Sequence, residues 1–157
     1  NLYRYIDRIH IAGSFDLHVF MPYSSINYLA DQPAAIIECS NKGIALRTSE
    51  ENEKFEPLLL SESYLVVTNH HRKLADPVAC QRYDKLVGLL NNTTMLDINT
   101  ALDYEREVAQ TAEPFNTAYM VGFMPDTLEM WVSFAENGKT APEAEPSHFF
   151  WNDIFDY

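Results

Sequence analysis

Residues 34–48 read AAIIECSNKGIALRT, two short apolar runs on either side of an Asn-Lys-Gly sequence at 41–43. Such a sequence between two apolar runs is typical of a β-hairpin, because asparagine and glycine tolerate the backbone angles of a tight turn. Upstream, residues 15–21 are rich in strand formers and predict a further strand. Downstream, residues 49–63 contain five glutamates and one lysine and are interpreted as a solvated loop without chemistry of its own.

A second strand-turn-strand pattern lies near the carboxy terminus. Residues 115–123 and 128–134 flank a Met-Pro-Asp-Thr turn, and the second run alternates cleanly between apolar and polar positions. This alternation predicts a second hairpin, with Leu128, Met130, Val132 and Phe134 on one side. Six aromatic residues, counting a histidine, then fall within residues 147–157. We expect this tail to pack on the domain or on a partner, because so many aromatic groups are unfavourable in free solvent.

Helical patterns occupy three other stretches of the chain. Residues 2–11 carry apolar side chains at helical spacing. Asp76 and Pro77 are typical of a helix start, and Asp97 can cap another helix. The predicted apolar faces are Ala79, Tyr83, Leu86, Val87 and Leu90 for the second helix, and Ile98, Ala101, Leu102, Val108 and Ala109 for the third. The order of elements favours an α+β fold with layered antiparallel sheets and flanking helices over alternating βαβ units.

Composition excludes several classes of protein. The 157 residues suffice for one ordinary domain, or for the carboxy-terminal portion of one. With 11 basic and 23 acidic residues the net charge is -12, which argues against a general nucleic-acid binder. No apolar run approaches the ~20 residues of a membrane span. Cys39 and Cys80 are too few for a disulfide framework and lack zinc-site spacing, so they are interpreted as reduced thiols. Nothing in the sequence fixes the compartment.

Polar residues gather at the end of a predicted buried strand, residues 64–68. Thr68, Asn69 and two histidines come last, and residues 72–85 then hold four basic and two acidic side chains. An asparagine at a strand end can donate its side-chain N–H to a developing oxyanion, although it can equally cap the following loop. The two histidines, His70 and His71, point to opposite sides of an extended chain, so a shared metal ion is not expected.

Arg82 is the second candidate for a functional side chain, after Asn69. Its neighbours on the predicted helix include Val78, Leu86 and Leu89, so we expect the guanidinium to be partly buried and to need an acceptor. A structural ion pair is the alternative. The chain has neither a Gly-x-Ser-x-Gly motif nor a glycine-rich phosphate loop.

These motifs resemble a known enzyme family. The sequence YLVVTNHH, followed thirteen residues after Asn69 by Arg82 in ACQRYDKLVGLL, resembles the acyl-coenzyme A:6-aminopenicillanic acid acyltransferase branch of the N-terminal nucleophile hydrolases. Acid ceramidase and choloylglycine hydrolase look like more distant relatives. Residues 13–20 and 34–48 resemble the strands that precede the Thr-Asn motif, and residues 109–134 resemble the closing strands.

The resemblance implies an αββα sandwich and cysteine chemistry. A catalytic cysteine, exposed as a new amino terminus by self-cleavage, supplies the nucleophile, and its own α-amine acts as the base. Asn69 would then be the oxyanion residue and Arg82 the arginine near the nucleophile. Thr68 and His70 are the expected substrate contacts. The substrate would be a small acyl amide, and no cofactor or metal is implied.

The chain departs from the family pattern at its beginning. It starts with Asn1, the nucleophile-bearing half is absent, and neither cysteine can supply a terminal amine. We therefore expect the carboxy-terminal part of such an enzyme, whose partner is a missing amino-terminal segment or subunit, with self-association through uncovered surface as a further expectation. The alternative is a non-catalytic binding or structural domain with the same fold. A cysteine encoded roughly 100 or more residues upstream would favour the enzyme.

Overall fold

The structure is a computed structural model that describes residues 15–20, 34–51, 64–76, 78–112 and 115–154. The chain divides into two units, residues 1–92 and 93–157. Whether they form one domain, as the sequence led us to expect, stays a prediction. The predicted helix at residues 2–11 lies outside the described residues.

The amino-terminal unit contains a three-stranded antiparallel sheet. Its strands are β1 (Phe15–Phe20), β2 (Ala34–Ser40) and β3 (Gly43–Arg47), in the order β1-β2-β3. The predicted hairpin is therefore confirmed, with Gly43 at φ +139°, a conformation that favours glycine. A short 3-10 turn, Ser49–Glu51, follows β3.

The two faces of this sheet differ in chemistry because successive side chains on a strand alternate. One face is apolar, with Ile37 and Cys39 buried against Leu17, Val19 and Ile44. The other face carries charge: Asp16 pairs in register with Glu38, and Arg47 lies one strand further on. Glu38 and Arg47 are completely buried. Buried charges on a small sheet demand partners, and these come from the segment that follows.

The predicted strand at residues 64–68 is wrong, because this segment has no regular secondary structure and belongs to no strand. Side chains take the place of a neighbouring strand: the Val66 carbonyl accepts a hydrogen bond from Arg47 Nη2 at 3.0 Å. Val66 is buried, whereas the residues on either side of it are half-buried. A buried guanidinium, rather than a sheet ladder, thus bonds the backbone of this segment at Val66.

The helix predicted to start at Asp76 begins later. Helix α1 spans Gln81–Asn91, with Cys80 as its extended N-cap residue. Glu38 holds the backbone of residues 72–74 in a series of bends, so the helix starts only beyond this segment. The predicted apolar face is otherwise present: Tyr83, Val87 and Leu90 are buried and Leu86 is half-buried, whereas Ala79 is exposed and precedes the helix.

The carboxy-terminal unit combines a helix with a second three-stranded sheet. Helix α2 spans Ile98–Val108, and Asp97 Oδ1 accepts from the Thr100 N–H at 2.8 Å, which confirms the predicted cap. Two short strands follow, β4 (Thr111–Ala112) and β5 (Phe115–Asn116). The sheet comprises β6 (Tyr119–Met124), β7 (Glu129–Phe134) and β8 (Ser147–Phe150), all antiparallel, and a short helix α3 (Trp151–Ile154) follows.

The second hairpin is confirmed as β6 and β7, while β8 was not predicted. The aromatic tail packs partly as expected, since residues 147–150 pair with β7 and His148 stacks on Trp131 at 4.2 Å. Gly122 on β6 lets α2 approach closely: a Cβ there would lie 2.7 Å from Ile98 Cδ1. Phe134, in contrast, is 62% exposed.

The two antiparallel sheets and their helices confirm the predicted α+β class. Among the residues described, no helix is long and apolar enough to cross a membrane.

Glu105 on α2 should make stability pH-dependent. Burial raises the pKa of this carboxyl to about 7, and no described group hydrogen-bonds its Oε2. A raised carboxyl pKa means that the folded state keeps the proton longer than the unfolded state, so stability falls as pH rises from about 4.5 to about 7. Glu105→Gln should therefore raise the free energy of unfolding by ~1–2 kcal/mol at pH 8 and leave it unchanged at pH 4. The figure is smaller than the pKa shift alone implies, because the side chain is partly exposed and solvent screens its charge.

Urea denaturation at the two pH values measures this effect. Glu145→Gln, at an exposed position in the same unit, is the matched control. An equal gain at both pH values would show that Glu105 does not titrate between them.

Candidate functional site

A cavity of about 480 Å³ lies in the amino-terminal unit, between β1 and the segment at residues 64–74. Its walls mix two imidazoles, a carboxylate, a hydroxyl and an amide with two apolar side chains. The lining residues are Phe15, Asp16, His18, Val67, Thr68, Asn69 and His71. A concave site with a few converging polar groups is the usual form of a small-molecule site.

Glu38 fixes the segment that directly follows the lining residues Thr68, Asn69 and His71. Its Oε1 accepts from Arg47 Nε at 3.1 Å and from the Arg72 N–H at 3.0 Å. Its Oε2 accepts from the N–H groups of Lys73 and Leu74, each at 2.9 Å. One buried carboxylate thus binds three successive backbone N–H groups and holds the chain just after Asn69 in place.

Electrostatics keep Glu38 ionised. Burial alone would raise the pKa of this carboxyl, but the N–H groups of residues 72–74, together with Arg47, overcome that cost and hold its pKa below the usual value. Arg72 continues the network, since its guanidinium stacks over the Tyr83 ring at 3.3 Å from the centroid. The cation–π contact joins the segment to α1.

Burial shifts the pKa of two of the lining groups, Asp16 and His18. Burial raises the pKa of Asp16, a change that the nearby His71 opposes. Burial, with Arg47 as the second cause, lowers the pKa of His18 and favours its neutral form. The cavity therefore presents a poorly solvated carboxyl beside a neutral imidazole.

The structure brings together only part of the predicted site. Thr68 and Asn69 line the cavity, and Asn69 is exposed to it. His70 is half-buried and is not among the lining residues, whereas its neighbour His71 is. Arg82 is half-buried on α1, as expected, but does not line the cavity either. The roles of all four residues stay predictions.

Sequence reasoning missed Asp16, His18 and the Glu38–Arg47 pair. A signal for them existed, because Asp16, Glu38 and Arg47 interrupt strands whose other residues are mostly apolar. Charged residues inside a predicted strand are expensive to bury and so indicate a specific role.

Neither cysteine is placed to act in this cavity. Cys39 is completely buried on the apolar face of the sheet, and burial raises the pKa of its thiol. Cys80 is half-buried at the start of α1 and is not a lining residue. A thiol nucleophile must be both accessible and easily ionised, which Cys39 is not.

Within the described ranges, no group of three His, Cys, Asp or Glu side chains could hold a metal ion. No protein-family model, no curated protein and no solved structure matches the chain. Its function is therefore inferred from the geometry of the cavity together with the short motifs around Asn69.

Proposed function

We propose that the cavity around Asn69 is part of the active site of an N-terminal nucleophile enzyme that hydrolyses or transfers acyl groups at linear amide C–N bonds. The observation that carries this proposal is the position of Asn69. Its side chain faces a cavity of amide-substrate size, and the segment that follows it is fixed by a buried carboxylate. The nucleophilic cysteine lies outside this chain, since neither Cys39 nor Cys80 can serve.

In this scheme the cysteine thiol loses its proton to the α-amine of the same residue and attacks the amide carbonyl. Negative charge develops on the carbonyl oxygen, and the Asn69 side-chain N–H donates a hydrogen bond to it. The C–N bond breaks as the α-ammonium returns the proton to the leaving nitrogen. Water then cleaves the thioester in a hydrolase, or an amine does so in an acyltransferase.

A preorganised donor is what this chemistry requires. A donor stabilises a transition state best when it needs no rearrangement as charge develops. Three of the four hydrogen bonds that Glu38 accepts come from the backbone N–H groups of residues 72–74, which begin three residues after Asn69, and they limit the movement of the backbone that carries it. This arrangement supports an oxyanion role over simple loop capping.

We also propose that the chain forms part of an αββα sandwich with layered antiparallel sheets and flanking helices. A sandwich requires an apolar face on each sheet. The amino-terminal sheet has one around Ile37, and the carboxy-terminal sheet exposes Tyr119, Val121 and Phe134 from a single face. Exposed aromatic surface of this kind is also what a missing segment or a second copy of the chain would cover.

Arg82 should tolerate lysine poorly if it acts near the nucleophile. A planar guanidinium holds two acceptors at once, and an ammonium cannot reproduce that geometry. We expect Arg82→Lys to lower kcat/KM of the complete protein roughly 10-fold or more while the melting temperature stays unchanged. Lys85→Arg, on the exposed side of the same helix, is the control. Full activity in Arg82→Lys would make Arg82 a surface ion-pair residue.

The competing proposal is a non-catalytic binding or structural domain, favoured by the absence of both cysteines from the cavity walls. A panel of N-acyl-7-amino-4-methylcoumarin amides, assayed with the complete protein before and after iodoacetamide treatment, separates the two. The enzyme proposal expects turnover that the alkylator abolishes. Absence of turnover across acyl chains from acetyl to palmitoyl would favour the binding domain.

A further inference from the structure

The carboxylate of Asp16 is the least satisfied charge in the cavity. Its side chain is 10% exposed, and its Oδ1 has no hydrogen-bond donor among the groups described. The nitrogen paired with it, His71 Nε2, is 3.7 Å away, beyond hydrogen-bond distance. A buried carboxylate without a donor is costly, so its persistence on the wall of a cavity points to a ligand that supplies one.

Neighbouring charges do not supply that donor. Glu38 already accepts four hydrogen bonds, and Arg47 donates to Glu38 and to the Val66 carbonyl. Arg47 is therefore committed to holding the segment at residues 66–74. Asp16 alone of the two paired carboxylates keeps acceptor capacity toward the cavity.

A second buried oxygen lies on the same cavity. Thr68 Oγ1 is buried and has no hydrogen-bond partner within the described part of the chain. A hydroxyl has two acceptor lone pairs, so Thr68 and Asp16 together offer acceptors to one multivalent donor. Phe15 and Val67 supply apolar surface to the same cavity. The lining thus suits a small group that is rich in N–H donors and attached to a short apolar stem.

We propose that this cavity binds the primary ammonium group of a small alkyl amine, with Asp16 and Thr68 accepting its hydrogen bonds and Phe15 and Val67 contacting its stem. The role of that amine rests on the proposed function. It is the leaving group released from the amide in hydrolysis, or the acyl acceptor in a transfer reaction. The substrate class is then an N-acyl derivative of a primary alkyl amine that carries no carboxylate beside its nitrogen.

An anionic ligand fits the same cavity poorly. The Asp16 carboxylate would repel it, and burial, with Arg47 as the second cause, lowers the pKa of His18 and disfavours its charged form. The Arg47 guanidinium itself is fully buried, does not line the cavity, and donates to Glu38 and to the Val66 carbonyl. Charge therefore selects a cation, and the unpaired acceptors select a cation with N–H donors.

Titration of the ¹⁵N-labelled chain at pH 7 tests the proposal. Ethylammonium chloride should move the backbone amide signals of Asn69 and His71 saturably. Sodium acetate and tetramethylammonium chloride at equal ionic strength should not, since one lacks the charge and the other lacks the donors. Absence of saturable shifts with ethylammonium, or equal binding of either control ion, would overturn the proposal.

Variants assign the contact to its residues. Asp16→Asn keeps the side-chain shape and should weaken ethylammonium binding at least tenfold, and Thr68→Val should weaken it to a smaller degree. Asp103→Asn, an exposed carboxylate of the other unit, should bind normally. Unchanged affinity in Asp16→Asn would overturn the proposal, and a melting temperature within a few degrees of the parent shows that this variant is folded.

The complete protein distinguishes this inference from the function on which it rests. Ammonium binding needs no nucleophile, so it survives in the chain even if the complete protein hydrolyses no amide, and in that case only the proposed function fails. If the complete protein is an amidase that ethylammonium does not inhibit at its binding concentration, the leaving-amine assignment is overturned and the amidase stands.

Discussion

Replacing Asn69 by alanine is expected to lower kcat of the complete protein roughly 10²–10³-fold, the usual loss for removing one oxyanion donor. The side chain lines a cavity and is exposed, so its removal uncovers no core surface and breaks no hydrogen bond among the described residues. The free energy of unfolding should therefore change by less than ~0.5 kcal/mol. The measurement pairs single-turnover kinetics on a coumarin amide with a thermal melt.

Two further substitutions sharpen this test. Asn69→Asp keeps the size of the side chain but replaces the N–H donor with a charged acceptor, so it should lose as much activity as the alanine variant. Asn99→Ala, at an exposed position on α2, is the matched control and should keep full activity. An unchanged kcat in Asn69→Ala, or collapse of its fold, would remove Asn69 from the oxyanion role.

The largest stability effect is expected at Glu38. Glu38→Ala should cost about 3–5 kcal/mol, because it removes one partner of a fully buried ion pair, the carboxylate that accepts from Arg47 Nε at 3.1 Å. The same change strips the acceptor from three backbone N–H groups at residues 72–74. Arg47→Met should cost less, since Glu38 would still accept those three hydrogen bonds.

The pH dependence gives this prediction a second signature. The folded-state pKa of Glu38 is lowered, so its stabilisation is present above the unfolded value near 4.5 and is lost as pH falls through the folded value. The difference between the parent and Glu38→Ala should therefore be full at pH 7 and shrink in acid. Glu50→Ala, which alters an exposed glutamate of the same unit, should change neither the free energy of unfolding nor its dependence on pH. A loss in Glu38→Ala no larger than that in Arg47→Met would contradict the central position of Glu38.

Local signals in the sequence predicted much of the fold. The turn at residues 41–43 and the alternation in β7 each depend on neighbours only a few residues apart, and both hairpins formed where expected. The Asp97 cap is equally local. The strand predicted at residues 64–68 did not form. The hydrogen-bond partner of the Val66 carbonyl there is a side chain, Arg47, nineteen positions upstream. No propensity or periodicity encodes that contact.

The candidate site shows the same division. Thr68 and Asn69 were identified because a polar run at the end of an apolar stretch is visible in the sequence, and both line the cavity. Asp16 and His18 were missed because only antiparallel pairing of β1 with β2 brings Asp16 opposite Glu38. The helix carrying Arg82 starts five residues later than predicted, and its arginine does not line the cavity.

The central claim is that this chain supplies the oxyanion donor of an amide hydrolase or acyltransferase whose nucleophile lies elsewhere, and locating the reactive cysteine tests it most directly. The complete protein is inactivated with iodoacetamide, and peptide mass mapping identifies the cysteine whose alkylation tracks the loss of activity. We expect a cysteine outside these 157 residues that bears a free α-amine, with Cys39 unmodified while the protein stays folded. Alkylation of Cys39 or Cys80 in step with inactivation would contradict it.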